Sequence, residues 1–85
     1  DVLDVIKDRK LRPKEGSYTN YLFDKGMDKI LKKLGEEATE IVIAAKNPGS
    51  NEVKYEMSDF LYHMMVLMVQ KGIGWEEIMA ELANR

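Results

Sequence analysis

There is no cysteine in this 85-residue sequence, so neither a disulfide nor a thiolate metal site is open to it. That absence suits an intracellular protein, and a cytoplasmic location is expected. Long apolar runs are missing too. The longest, Phe60 to Val69, is interrupted by His63 and is far shorter than the roughly 20 residues a spanning helix needs. Asp1-Val2-Leu3-Asp4 is acidic and has no apolar h-region, so no signal peptide is visible. The chain begins at Asp1 and not at methionine, and residues ahead of it are expected to have been removed or omitted. An excess of positive charge is also lacking: a net charge of −2 and a pI near 5.4 argue against a general nucleic-acid binder. No stretch reads as a strand, an internal repeat, a low-complexity segment or a linker. The Glu-x-x-His motifs that a di-iron bundle requires are absent as well.

What remains, 45% hydrophobic and 33% charged residues, describes one small globular domain over residues 1–85. A domain of this length buries a modest fraction of its surface and needs an added stabiliser. With disulfides excluded, self-association is the remaining route, and a homodimer is expected.

Four segments follow from the punctuation. Val2, Leu3, Ile6 and Leu11 recur at helical spacing in a short first helix that Pro13 to Gly16 closes. Ser17-Tyr18-Thr19-Asn20 is a polar lead-in, with Ser17 or Thr19 as N-cap. A long helical pattern then runs to about Lys46, with a possible break near Gly26. Asn47-Pro48-Gly49-Ser50 is a turn by composition, and Ser50 or Asn51 caps a helix that reaches about Lys71. Gly72 and Gly74 end it, and Trp75 to Ala83 forms a last amphipathic helix that Trp75 is expected to anchor. The fold class expected is all-α, an antiparallel helical bundle completed by homodimerisation.

The most informative residues are two carboxylate pairs, Glu37 with Glu40 and Glu56 with Asp59. Three-residue spacing puts both members of a pair on one side of a helix, a turn apart. On a helical wheel Met27, Ile30, Leu31, Leu34, Ala38, Ile41, Val42 and Ala45 share one arc, expected to face the core, and Glu36, Glu37 and Glu40 lie beside it. Gly35 costs about 1 kcal/mol in a helix interior, which a close approach by a ligand or second helix would explain. The helix from Val53 to Val69 is apolar nearly all round, so it is expected to be enclosed by others. Its polar residues, Glu52, Glu56, Asp59, His63 and Gln70, form one narrow stripe. Carboxylates are costly to bury unless paired, protonated or bound to a cation. Two facing pairs make an all-oxygen site suited to Mg2+, with Mn2+ as the alternative, and point to phosphate chemistry.

Each signal also has a plainer reading. Lys33 is placed to pair with Glu36 or Glu37, which alone would make a solvated face. His63 is read as hydrogen-bonded in the core and not as a metal ligand, and the methionines as packing. Lys25, Lys29, Lys32, Lys33 and Lys46 surround the acidic helix, and a subset could receive phosphate. Ser17, Tyr18 and Thr19 either cap a helix or bond phosphate at its N-terminus.

In order along the chain, Ser17-Tyr18-Thr19, Lys33-x-Gly35-Glu36-Glu37-Ala38-x-Glu40, Ala44-Ala45-Lys46 and Glu56-x-x-Asp59-x-x-Tyr62-His63 resemble the phosphoribosyl-ATP pyrophosphohydrolase family of histidine biosynthesis. The likeness covers about Ser17 to Arg85. The two acid motifs are shared with the wider all-α, MazG-like nucleotide pyrophosphohydrolases; Ser-Tyr-Thr and Tyr-His narrow it. Met57-Ser58-Asp59-Phe60 departs from the small and aliphatic residues usual there and leaves both acids intact. The resemblance implies Mg2+-dependent hydrolysis of phosphoribosyl-ATP to phosphoribosyl-AMP and pyrophosphate by a homodimer. It also implies the stand-alone form, since 85 residues leave no room for a fused cyclohydrolase. On this reading Glu37, Glu40, Glu56 and Asp59 hold the metal, and Glu36 orients or deprotonates water, with Glu37 sharing the catalytic role. Lys33 and Lys46, with Ser17, Tyr18 and Thr19, bind substrate, while Tyr62 and His63 brace the site from behind. Two rivals stay open: a related nucleoside or deoxynucleoside triphosphate pyrophosphatase, and a non-catalytic helical dimerisation module.

Overall fold

Helix ends fall where short polar residues and glycines stand. In the computed structural model, which describes all of Asp1–Arg85, the Asp1 carboxylate accepts from the Asp4 N–H at 2.9 Å and starts α1, Val2–Leu11. Ser17 caps α2, Tyr18–Lys25, its Oγ accepting from the Asn20 N–H at 3.3 Å. Thr19, the other cap considered, lies inside that helix and is buried. The pattern expected to run to about Lys46 is two helices, because Gly26 takes φ +92°, a region that other residues rarely adopt. Beyond it α3 spans Met27–Ala45. The 47–50 turn reverses the chain into α4, Asn51–Lys71, with Ser50 at the N-cap position but no side-chain capping bond. Gly72, at φ +73°, ends α4 while the Ile73 N–H bonds back to the Met68 carbonyl at 2.8 Å. A last helix, α5, spans Trp75–Ala83, and the Glu77 side chain accepts from the Gly74 N–H at its start. Every regular element is helical, so the expected all-α class holds. No helix is long and apolar enough to cross a membrane.

The antiparallel pair α3–α4 is the main packing unit, with α1 lying chiefly on α4 and α2 chiefly on α3. Ile6, Leu22, Ile30 and Val66 meet at the centre, one side chain from each of the first four helices. Burying four such side chains contributes about 1.5–3 kcal/mol apiece, so this centre fixes the relative placement of those helices. Asn20 joins α2 to the end of α1 and its loop: its Oδ1 accepts from the Lys14 N–H at 2.9 Å and its Nδ2 donates to the Arg9 carbonyl at 2.7 Å.

Several expectations change in three dimensions. Of the first helix's apolar residues, Leu3 and Ile6 are buried, but Val2 and Leu11 are exposed. The buried line of α3 is Ile30, Glu37 and Ala44, while Leu31, Ala38, Val42 and Ala45 from the expected core arc lie outside. The helix is turned so that its acids face α4, because α4 presents its own polar stripe there. Nor is α4 enclosed: Tyr55, Met57 and Leu61 are exposed. A Cβ added at Gly35 would meet nothing within 4 Å, so no second helix of this chain approaches it. Trp75 does not anchor the last helix to the bundle: α5 packs on none of the other four, and its Met79 and Leu82 are exposed.

Candidate active site

Because α3 and α4 run antiparallel, the two acid pairs face each other in reversed order. The carboxylates of Glu37, Glu40 and Glu56 come within 4.8 Å of one another, and so do Glu37, Asp59 and a ring nitrogen of His63. Glu37 belongs to both groups and sits deepest, at 4% exposure. Its Oε2 is buried with no hydrogen-bond partner. A lone buried carboxylate oxygen is costly, and the fold answers by holding the proton: burial first, then Asp59 and Glu40 close by, push the Glu37 carboxyl up to about 7 against the opposing pull of Lys33. Glu56 is also shifted upward, chiefly by hydrogen bonding with Glu40, then by burial and by the negative charge of Glu40, Asp59 and Glu52.

Lys33 lies along the same edge, 3.5 Å from Glu36 and 4.0 Å from Glu37. Burial alone would lower its basicity, but Tyr18, Glu36 and Glu37 outweigh that and raise it, so it stays charged. Glu36 is half exposed at the mouth of the site. Lys46 stands exposed at the C-cap of α3 and makes no ion pair.

Behind the acids, α2 supplies a hydrogen-bonded brace. His63 is buried, with Nδ1 2.8 Å from the Asp59 carbonyl, which can only accept, and Nε2 3.0 Å from the Tyr18 hydroxyl. Neutral His63 therefore carries its hydrogen on Nδ1 and accepts from Tyr18 at Nε2. Burial keeps the Tyr18 phenol protonated by shifting it upward; Lys33 opposes this, while Tyr62, Asp59 and Glu37 add to it. The buried Thr19 hydroxyl bonds the Tyr62 hydroxyl, and the Tyr18 ring stacks on Tyr62 at 6.2 Å between centroids.

The sequence-predicted residues thus fall into three places. Glu36, Glu37, Glu40, Glu56, Asp59 and Lys33 share the α3–α4 seam. Tyr18, Thr19, Tyr62 and His63 are bonded to one another behind it, and Ser17 is occupied as the cap of α2. Lys46, at the C-cap of α3, makes no ion pair with any of the acids. Sequence reasoning passed over a groove of about 450 Å³ at the turn end of the seam, where Ile43, Ala44, Asn51 and Tyr55 lie between Glu40 and Glu56. The available signal was Tyr55 itself, an aromatic residue directly before an acid of the motif.

A family model described as phosphoribosyl-ATP pyrophosphohydrolase matches residues 1–85. The chain belongs to the phosphoribosyl-ATP pyrophosphohydrolase family. It is 56% identical over 85 residues to the phosphoribosyl-ATP pyrophosphatase of Lactiplantibacillus plantarum, covering 100% of this chain and 80% of that protein. Against the phosphoribosyl-ATP pyrophosphatase of Listeria monocytogenes serotype 4b the identity is 60% over 85 residues, with 100% and 82% covered. It is also 60% identical over 81 residues to the histidine biosynthesis bifunctional protein HisIE of Thermoanaerobacter pseudethanolicus, covering 95% of this chain and 38% of that longer protein. Phosphoribosyl-ATP pyrophosphohydrolases are hydrolases, and the motifs that mark this chain as one of them have a physical connection here. Ser-Tyr-Thr and Tyr-His are two halves of one hydrogen-bonded brace.

Proposed function

We propose that this chain hydrolyses phosphoribosyl-ATP to phosphoribosyl-AMP and pyrophosphate, the second step of histidine biosynthesis, with Mg2+ (or Mn2+) as cofactor and as a homodimer. The observation that carries the reading is Glu37, a carboxylate 4% exposed whose Oε2 has no partner, among three further acids. A group so placed is stabilised by a divalent cation, and an all-oxygen donor set suits a hard one. The residues present therefore fit Mg2+. Glu37, Glu40, Glu56 and Asp59 would hold it, with His63 engaged elsewhere by Asp59 and Tyr18. When bound, the cation offsets charge on phosphate oxygens at the α–β anhydride bond.

The chain's own groups do the rest. Glu36, half exposed at the mouth, orients the attacking water and takes its proton, and Lys33 beside it attracts phosphate oxygens. Glu37 shares the catalytic role as the deepest of these acids; its carboxyl, pushed up to about 7 in the metal-free fold, would give up its proton on binding the cation. Tyr18 holds His63, and His63 holds the Asp59 backbone, so the carboxylate starts from a fixed position. Thr19 and Tyr62 brace α2 against α4. Lys46 remains a phosphate ligand only for a substrate that extends past the C-terminus of α3.

Support for the homodimer comes from the surface. Only ten of 85 residues are buried, while Leu31, Val42, Met57 and Leu61 are exposed on the outer sides of α3 and α4. A cytoplasmic setting accords with a biosynthetic role. The reading is tested by measuring pyrophosphate release from phosphoribosyl-ATP, dUTP, dCTP and ATP, with Mg2+ and with chelator. Release confined to the metal arm and fastest with phosphoribosyl-ATP is expected. Faster release from dUTP or dCTP would move the chain to a deoxynucleotide pyrophosphatase, and no release from any of them would leave the dimerisation module.

A further inference from the structure

Phosphoribosyl-ATP is anionic at two places. Besides its triphosphate it carries a phosphoribosyl group on the base, and the phosphate of that group lies away from the bond that breaks. Lys33 and the cation-binding acids serve the triphosphate, so the second phosphate needs positive charge elsewhere. The groove at the turn end of the seam does not offer it, because its charged lining residues are Glu40, Glu52 and Glu56. The corner between α1 and α2 does. A hollow of about 270 Å³ there is lined by Arg9, Lys14, Glu15, Gly16 and Ser17, with no apolar side chain among them. A larger hollow of about 690 Å³ shares Lys14 to Ser17 and adds Tyr18 and Tyr21. Other cations nearby are engaged: Lys10 donates to Gln70 at 2.7 Å, and Arg12 pairs with Asp8. Lys14 makes no ion pair, and Arg9 meets only Asp8, at 3.4 Å, which Arg12 already holds.

Two features make this corner a prepared site. Asn20 accepts from the Lys14 N–H at 2.9 Å and donates to the Arg9 carbonyl at 2.7 Å, so one side chain fixes the backbone of both cations before a ligand arrives. Tyr18 then sets the reach. It follows Ser17, is 45% exposed, and puts its hydroxyl 3.0 Å from His63, which bonds the Asp59 carbonyl. One tyrosine side chain therefore separates the corner from the acids, a span that one substrate molecule can bridge. Building on the function proposed above, we propose that Arg9 and Lys14 bind the phosphate of the phosphoribosyl group while the triphosphate lies at the acids. The ribose of that group occupies the larger hollow beside Tyr18. ATP and the deoxynucleoside triphosphates lack this group, so the corner selects phosphoribosyl-ATP over them.

Steady-state kinetics reads the corner apart from the reacting end. Lys14 is exposed, so Lys14→Gln is expected to fold as the wild type does. It should raise KM for phosphoribosyl-ATP about tenfold with kcat within about twofold, because the contact is remote from the broken bond and equal in ground and transition states. Arg9→Gln combined with Lys14→Gln should raise KM further. Lys14→Arg, which keeps the charge, should stay within about twofold of the wild type. The inhibition constant of inorganic pyrophosphate, which has nothing to place in the corner, should change less than about twofold in Lys14→Gln. An unchanged KM in the double variant overturns the proposal. So does equal weakening of pyrophosphate, which would mean a general loss of positive charge. A lower kcat at constant KM overturns it too, since the Tyr18 brace would then be what was disturbed. If the wild-type chain releases no pyrophosphate from phosphoribosyl-ATP, the functional reading fails instead. Ribose 5-phosphate, titrated into wild-type and Lys14→Gln protein and followed by amide NMR shifts, then still decides. Shifts at residues 14–18 in the wild type alone keep the corner as a sugar-phosphate site, and equal or absent shifts overturn it.

Discussion

The seam between α3 and α4 and the outer faces of the same helices invert the usual distribution of polarity. Inside, at the seam and its brace, lie Glu37, His63 and Thr19, each under a tenth exposed. Outside lie Val42 at 64%, Met57 at 48% and Leu61 at 44%. Hydrophobic burial alone would turn α3 the other way, whereas α4 still buries Val66 and Met68. The difference teaches that polar burial at the seam and apolar exposure outside it each call for a compensating contact. On the function proposed above, a cation would offset the cost of the inner acids, and a second copy would cover the outer apolar residues. Each can be removed separately, which makes the comparison testable.

The largest effect is expected at the inner acids. Glu37→Gln and Asp59→Asn should each lower Mg2+-dependent pyrophosphate release about a hundredfold or more, since even residues behind a metal's ligands cost 10–100-fold. Both should stay folded by circular dichroism and lose the thermal shift produced by Mg2+. Full activity in a folded Asp59→Asn would show that the seam is structural.

Next comes the outer face. Leu61→Lys should weaken self-association about thirtyfold or more, read by light scattering over a dilution series, because a central apolar anchor is worth about 2 kcal/mol or above. A monomer would tolerate the change within about 0.5 kcal/mol. An unaltered oligomeric state would mean that some other surface carries the partner.

A smaller, pH-dependent effect joins the two regions. In the metal-free fold Glu37 keeps its proton up to about pH 7, whereas its ordinary value is 4.5. This group's contribution to stability is therefore fully present below 4.5 and is lost as pH rises through about 7, where the unfolded chain has long been ionised. Metal-free wild-type protein should lose melting temperature across that window relative to Glu37→Gln, and Mg2+ should restore it at pH 8. Parallel curves for the two proteins would mean that Glu37 ionises freely.

The smallest effect is at Gly35, where an added Cβ meets nothing within 4 Å. Gly35→Ala should raise stability by about 1 kcal/mol if that surface faces only water. Lower stability, or weaker dimerisation, would show that a second copy or the substrate approaches the backbone there.

Much of this was legible in the sequence because it depends on neighbours along the chain. Ser17 as a cap, Gly26 and Gly72 as breaks and the 47–50 turn are local choices of dihedral angle and hydrogen bond, and they placed the helix ends. The three-residue spacing of the acids and the order of the motifs carried both the chemistry and the family. The rotation of α3 was not legible. A wheel orders residues around an axis but does not say which side meets a neighbour, and the side that is most apolar is here the outer one. The position of Trp75 failed for a related reason: amphipathicity shows that α5 has a face to bury, not that this chain contains what buries it.

Composition, helix periodicity and motif order thus determined an all-helical member of the phosphoribosyl-ATP pyrophosphohydrolase family with four acids on two helices, because each of these properties is written in short-range spacing. Tertiary structure decided that the acids converge, that Tyr18 reaches His63 and Thr19 reaches Tyr62 across more than forty residues, and that a groove opens beside Glu40 and Glu56. Those outcomes depend on how one antiparallel pair turns about its axes. That turn is set by the meeting of Ile6, Leu22, Ile30 and Val66 from four separate helices, which no local spacing records.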